Sequence, residues 1–194
     1  MRTVVLVSGT GTNLQALLDA QSPDGYAVVA VGSDRHDCGG LDRAAAAGIP
    51  TFVVRVPDFA TRPEWDRAIT DAVAAHTPDL VVSAGFFKVL GADFLATHQT
   101  INTHPSLLPS FPGSFGVRDA LAHGVRVTGC TCHWIDAGID SGPIIEQRAV
   151  RVEDGDTEET LHERIKVAER AMLVDVVRAL AADRGSWRRG GGLD

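Results

Sequence analysis

Apolar and polar positions divide the 194-residue chain into short apolar runs that alternate with segments of helical spacing. Thr3 to Val7 is a continuous β-branched and apolar run, the pattern of a strand buried on both faces of a parallel sheet. It ends in Ser8-Gly9-Thr10-Gly11-Thr12-Asn13, after which Leu14 to Ala20 carries apolar residues at helical intervals. Tyr26 to Val31 predicts a second strand, Gly40 to Ala47 a helix, and Thr51 to Val54 a short third strand. Arg62 to Ala75 puts Trp65, Ile69, Ala72 and Val73 on one face, an amphipathic helix that Pro78-Asp79 closes before the strand Leu80 to Ser83. Val117 to His123 predicts a short helix ended by Gly124. Val127 to Ile135 alternates as a strand, with Cys130 and Cys132 on one face and Thr131 and His133 on the other, and Pro143 to Val150 predicts a further strand. Asp156-Thr157-Glu158-Glu159, close to a capping box, opens a long helix with Leu161, Ile165, Ala168, Met172, Val176 and Leu180 along one stripe.

Repeated β-α-β order implies a parallel sheet. The expected fold class is α/β, doubly wound, with a mostly parallel central sheet, helices on both faces and a Rossmann-like N-terminal half. One domain over 1–194 is expected, comprising a phosphate-binding half at 1–100, a catalytic half at 101–183 and a mobile Gly-, Arg- and Trp-containing tail at 184–194.

Composition narrows this picture. No apolar stretch reaches the roughly 20 residues that cross a bilayer, so no membrane is expected as a partner. Met1-Arg2 leads straight into a strand run with no secretory signal, which predicts a cytoplasmic protein. Three cysteines, Cys38, Cys130 and Cys132, suit neither a disulfide framework nor a zinc-type pair, so reduced thiols and no structural metal are expected. A net charge of −7 argues against broad binding to nucleic acid and requires any anion site to be local. A homodimer is compatible with all of this.

Candidate chemistry centres on Ile101-Asn102-Thr103-His104-Pro105-Ser106-Leu107-Leu108-Pro109-Ser110-Phe111-Pro112. Asn102 and His104 lie two positions apart in an extended run, so their side chains project the same way, and Pro105 holds His104 away from helical backbone. An amide donor beside a titratable ring suits a developing oxyanion or a proton transfer, although such a pair can also merely satisfy itself. The glycines at 9 and 11 feed a helix N-terminus, a phosphate-binding geometry that lacks both the third glycine of a dinucleotide fingerprint and the Gly-Lys-Ser/Thr of a triphosphate loop. Asp34 stands where a ribose-binding acid of a nicotinamide enzyme would stand, and equally where an aspartate closes a turn. Phe87, Lys88 and Leu90 follow a strand's C-terminal end, where ligands of open α/β sheets collect and where core packing is the commoner role. Asp140, on the glycine-punctuated loop 136–142, could orient His104 or simply bond nearby N–H groups. Lys166 and Glu169 at i, i+3 could form a solvated ion pair.

Ser8 to Gln15, Ala84-Gly-Phe-Phe-Lys88, Asn102-Thr-His-Pro-Ser-Leu-Leu-Pro109 and Ile139-Asp-Ser-Gly-Pro143 together resemble the folate-dependent formyltransferases, in particular the glycinamide ribonucleotide branch. The similarity in order and spacing covers nearly the whole chain. It implies formyl transfer from N10 of 10-formyltetrahydrofolate to the amine of glycinamide ribonucleotide in purine synthesis, in a folate-binding C-terminal half. By matching position it implies Asn102, His104 and Asp140 as the catalytic group, and Gly11, Thr12 and Asn13 as the phosphate cradle. Lys166 would assist at the phosphate and Glu169 at the ribose. Phe87, Lys88, Val89 and Leu90 with Ile135, Asp136 and the loop to Asp140 would enclose the folate, whose glutamate tail Arg62 would reach. Phe115 and Val117 stand where the family often has histidine, which predicts altered loop packing or affinity rather than lost activity. Methionyl-tRNA formyltransferase, a hydrolase of the same folate, and a nicotinamide-dependent dehydrogenase are the rival readings. The first normally needs a further C-terminal domain and a basic surface, and the second an extra N-terminal domain.

Overall fold

The computed structural model describes residues 1–183; the tail expected to be mobile, 184–194, lies outside the described residues. The described residues form two compact units, one of Met1–Thr100 together with residues 177–183, the other of Ile101–Val176.

The first unit contains β1 (Arg2–Val7), α1 (Thr12–Ala20), β2 (Ala27–Ser33), α2 (Gly39–Ala46), β3 (Thr51–Val53), a 3-10 turn at Val56–Asp58, α3 (Arg62–Ala74), β4 (Leu80–Ser83) and α4 (Ala92–Thr97). Its strands are parallel in the order β3-β2-β1-β4. The chain therefore runs outward from β1 to β3 and returns to pair β4 on the other side of β1. Right-handed crossovers then put α1 and α2 on one face and α3 on the other, the doubly wound arrangement. Helix contacts agree, with α1 against α2 and α3 against α4. Val4 to Val7 and Val81 to Val82 are buried, as their continuous apolar runs require, and Leu14, Leu17, Trp65 and Ile69 cover them. Trp65 satisfies its one polar atom by donating from Nε1 to the Val54 carbonyl at 3.0 Å.

The strand order reverses at β1 and β4, so the crevice at their C-terminal ends is where this sheet type takes ligands. Two bonds lock those ends: Ser8 N–H donates to the Gly85 carbonyl at 3.0 Å, and Phe87 N–H donates to Ser8 Oγ at 3.0 Å. Gly40 lets α2 approach, since a Cβ there would lie 2.7 Å from a Val7 methyl.

The second unit begins within β5 (Thr100–His104) and continues through α5 (Gly116–His123), β6 (Val127–Trp134), β7 (Ile144–Arg151) and most of α6 (Glu158–Ala182). β5, β6 and β7 are antiparallel, with Asn102 opposite His133, His104 opposite Thr131, and Thr131 opposite Gln147. Cys130 Sγ lies 3.9 Å from Met172 Sδ of α6. Burial pushes the Cys130 and Cys132 thiols up to about 12, and the nearby Glu169 carboxylate adds to the effect. Thr131 and His133 project from the other face, as their alternation predicts.

The α/β class with a mostly parallel sheet is as expected, and most boundaries shift by one or two residues. The 3-10 turn and α4 were not predicted, because three and six residues are too short to show a period. Pro143 lies outside β7 because it has no N–H for the ladder; it contributes only its carbonyl, which accepts from Trp134 N–H at 2.9 Å. On α6 the box forms between Thr157 and Thr160, each backbone N–H donating to the other's Oγ1 at 3.0 and 3.2 Å. Asp156 instead takes the two-pronged Arg164 guanidinium at 2.8 and 2.9 Å, which holds its carboxyl far below the usual range. Glu169 occupies the buried stripe where Ala168 was expected, and Ala168 is half-buried. No described helix is long and apolar enough to cross a membrane.

At α3, Thr61 accepts from Glu64 N–H while the Glu64 carboxylate accepts from Thr61 N–H, a complete capping box. Thr61→Ala should cost about 1 kcal/mol, the usual value of such a cap, and lower the melting temperature by roughly 2–4 °C in calorimetry.

Candidate active site

Asn102 and His104 emerge from the same side of β5, His104 buried and Asn102 half-buried. The loop that follows is held by one hydroxyl. Thr131 Oγ1 donates to the Ser106 carbonyl at 2.7 Å, accepts from Leu108 N–H at 3.0 Å, and accepts from Gln147 Nε2 at 3.0 Å. Gln147 also donates to the Leu108 carbonyl at 2.8 Å, and Ser106 Oγ donates to the Ser110 carbonyl at 2.5 Å. Two adjacent strands, β6 through buried Thr131 and β7 through Gln147, thus fix residues 106–110 together with the segment's own Ser106 hydroxyl.

His104 has an acceptor at each ring nitrogen. Nε2 is 2.8 Å from the Phe111 carbonyl and Nδ1 is 3.3 Å from Asp140 Oδ2. A neutral imidazole can donate through only one of them, so the Phe111 and Asp140 oxygens compete for its proton. Gly116, at the start of α5, lies against this ring: a Cβ there would be 3.0 Å from both His104 Nε2 and the Phe111 carbonyl oxygen.

Asp140 sits in the left-handed region at φ 52, which aspartate tolerates better than most residues. Its Oδ2 accepts from Gly113 N–H at 2.8 Å, and its Oδ1 lies 3.6 Å from His133 Nε2. Burial alone would raise its pKa. The neighbouring His133, the Gly113 N–H and His104 outweigh burial and hold the carboxyl below its ordinary value. His133 was placed on this face by its alternation but was not named among the site residues. Its signal was indirect, since the partners on β5 and the 136–142 loop appear only once strand register is known. The first two expected site residues and Asp140 do come together, with His133 as a fourth member.

In the first unit, Gly11 adopts φ 72 as the residue before α1, and Arg43 braces the loop by donating to the Thr10 carbonyl at 2.8 Å. Gly11 and Asn13 are buried and Thr12 is half-buried; Asn13 Oδ1 is a buried polar atom with no hydrogen-bond partner. Asp34 does more than close a turn: its buried carboxylate pairs with Lys88 Nζ at 2.8 Å. Burial would raise its pKa, but Lys88, Ser8 and Arg35 together lower it. An ionised Asp34 committed to Lys88 is a poor ribose acceptor, which removes support for the dehydrogenase reading.

Phe87 and Val89 flank Lys88 and are 74% and 62% exposed, whereas Phe86 and Leu90 are buried. For Phe87, the core role therefore fails and the ligand-wall role keeps its surface. Leu90 is a core residue in this structure. Arg62 donates to Asp66 at 2.9 Å and to the Val89 carbonyl, and stacks 4.5 Å from the Trp65 ring centre. In the second unit Ile135 is half-buried, Ile139 is exposed, and exposed Asp136 accepts from Ser141 Oγ at 2.8 Å and Gly138 N–H at 3.0 Å. Lys166 pairs with Glu163 at 2.7 Å, not with Glu169, because Glu163 is on the solvent side with Lys166 while Glu169 is turned into the buried stripe. Phe115 is exposed under the Arg118 guanidinium at 3.8 Å, and Val117 is buried in the core. No group of His, Cys, Asp and Glu among the described residues has the arrangement of a metal site.

A family model described as formyl transferase matches residues 1–177. Phosphoribosylglycinamide formyltransferase of Mycobacterium tuberculosis (strain ATCC 25618 / H37Rv) is 60% identical over 183 residues, covering 93% of this chain and 85% of that protein. Trifunctional purine biosynthetic protein adenosine-3 of Homo sapiens is 43% identical over 185 residues, which are 93% of this chain and 18% of that protein. Among solved structures, glycinamide ribonucleotide transformylase 1 from Symbiobacterium toebii matches with a TM-score of 0.91 at 42% identity, over 95% of this chain and 89% of that one.

The depressed pKa of Asp140 sets a pH dependence. An acid whose folded pKa lies below its unfolded value stabilises the fold above the unfolded pKa and loses that contribution as pH falls through the folded one. The stability deficit of Asp140→Asn should therefore be constant near neutrality and close as pH drops below the ordinary value of 3.8. Urea denaturation of both proteins from about pH 7 to about pH 3 measures this.

Proposed function

The chain belongs to the formyl transferase family, and from that membership we infer that it moves the formyl group of 10-formyltetrahydrofolate to the amine of N1-(5-phospho-D-ribosyl)glycinamide in purine biosynthesis. The observation that carries the mechanism is the buried Asp140–His104 contact at 3.3 Å beside the Asn102 amide. It supplies what acyl transfer to an amine needs: donors for an oxyanion and a route for one proton.

The amine nitrogen attacks the formyl carbon, and the carbonyl electron pair moves onto oxygen. Asn102 donates to that oxygen. His104 joins it when Nε2–H turns from the Phe111 carbonyl to the reacting oxygen, while Asp140 retains Nδ1 and stabilises the charged ring. Each such donor is typically worth about 3 kcal/mol. Collapse returns the electron pair to the carbonyl and breaks the bond to N10. The proton shed by the amine, relayed through Asp140, goes to the departing folate nitrogen. The products are the formylated ribonucleotide and tetrahydrofolate.

Substrate binding is assigned residue by residue. The free N–H groups of Gly11, Thr12 and Asn13, at the positive end of α1, hold the phosphate. Lys166 leaves the exposed Glu163 to assist at the phosphate, and Glu169 takes the ribose hydroxyls. Folate is the co-substrate; in the first unit exposed apolar Phe87 and Val89 offer the surface a flat ring system needs, with Lys88 between them, Leu90 packed behind and Arg62 meeting the glutamate tail by exchanging Asp66 for it. Ile135, Asp136 and exposed Ile139 of the second unit are assigned to the same co-substrate. The enzyme works as one formyltransferase domain in the cytoplasm, as a monomer or a homodimer.

Mixing the purified protein with 10-formyltetrahydrofolate should give deformylation only when glycinamide ribonucleotide is present. Turnover that ignores the ribonucleotide would make it a hydrolase. His104→Ala and Asp140→Asn should each lower turnover about a hundredfold, the scale of an acid/base group, and near-normal rates in both would remove these roles.

A further inference from the structure

We propose that His133 is a positioning residue for this reaction: its Nε2 accepts one N–H of Asn102 and so turns the other amide N–H toward the reacting oxygen. The proposal rests on the formyl-transfer reading above. His133 is 2% exposed and lies opposite Asn102 in the β5–β6 register, so neither side chain can move far from the other.

The tautomer follows from the neighbours. His133 Nδ1 is 2.9 Å from the Trp134 carbonyl, an oxygen that can only accept, so Nδ1 carries the proton. A neutral ring then keeps its lone pair on Nε2. Two groups face that atom: Asn102 Nδ2 at 3.3 Å and Asp140 Oδ1 at 3.6 Å. The amide nitrogen is a donor within hydrogen-bond range, whereas 3.6 Å is beyond it. Asp140 Oδ1 is the more distant of the two, and the carboxylate is engaged through Oδ2 by His104 Nδ1 and Gly113 N–H.

An asparagine amide has a donor end and an acceptor end of nearly equal shape. Only the donor end helps a developing oxyanion; the carbonyl end repels it. Rotating Asn102 by half a turn would set its Oδ1 against the Nε2 lone pair, so His133 selects the productive end. Among the described residues Asn102 makes no other side-chain hydrogen bond, which leaves His133 as the group that makes the selection.

The test uses the full-length protein. In ¹⁵N NMR of the ligand-free wild type, His133 should show the Nδ1–H tautomer, and its Nε2 resonance should shift in Asn102→Ala. His133→Ala should lower kcat roughly thirtyfold, part of the hundredfold or more that one oxyanion donor contributes, with both KM values within about threefold. His133→Gln, which restores an acceptor, should recover most of kcat, and His133→Phe, which restores only volume, should not. In the Asn102→Ala background, His133→Ala should add no further loss. An Nε2–H tautomer, a normal kcat in His133→Ala, or losses that multiply in the double variant would each overturn the proposal. If the wild type itself transferred no formyl group, the functional reading would fall instead, and the tautomer with its response to Asn102→Ala would still decide whether the Asn102–His133 bond exists.

Discussion

The second unit is organised by a carboxylate that cannot leave the ground it shares with two imidazoles. Asp140 is buried enough for its charge to be costly, and it stays ionised because His133, Gly113 and His104 converge on it. That requirement fixes much else. β5 and β6 must pair so that Asn102 faces His133, the 136–142 loop must bend through a left-handed residue to deliver the carboxylate, and the 106–112 segment must turn back to supply Gly113. Thr131, two residues from His133 on the same strand face, holds the returning segment with one hydroxyl that bonds both Ser106 and Leu108. The catalytic constellation and the packing of its loop are therefore one problem in hydrogen-bond satisfaction.

The first unit solves a different problem. β1, β2 and β4 are buried nearly throughout, unlike the edge strand β3, and the positions free to meet a ligand are at the strand ends, where the order reverses around β1. There the backbone is locked by Ser8, and the Lys88 charge is cancelled by Asp34. What remains there is a left-handed glycine leading into a helix N-terminus, and a short segment in which two apolar side chains stand in solvent around a neutralised lysine. Polar and apolar recognition are thereby separated along the same edge of the sheet.

Much of this was readable beforehand, for physical reasons. A strand buried on both faces must be continuously apolar, so Thr3–Val7 and Leu80–Ser83 could be placed closely. An amphipathic helix must repeat near 3.6, so α3 and α6 were visible. Asn102 and His104 drew attention as polar groups projecting together from a strand end, whereas Asp140 read equally as a turn residue, and the three became one group only through the motifs they share with the formyltransferases. The misses share one cause. His133 and Asp34 acquire their meaning from partners distant in sequence, on β5 and the 136–142 loop in one case and at Lys88 in the other, and no local pattern announces a register. That Lys166 could pair with Glu169 was open from the spacing, because spacing alone cannot say which of two carboxylates the helix turns inward. α4 was too short to leave a periodic trace.

Gly116 carries a consequence for how such a chain can drift. The ring of His104 is free on one side only because α5 begins with a residue that has no side chain, and the first carbon of any other residue would press on both the ring and the oxygen it holds. Around it, Pro112, Ser114 and Phe115 are exposed, so the surface beside the site can accept replacement while this position cannot. Selection acting on the loop would leave a gap of fixed identity inside a stretch of changing neighbours, an imprint of chemistry borne by an atom that is not there.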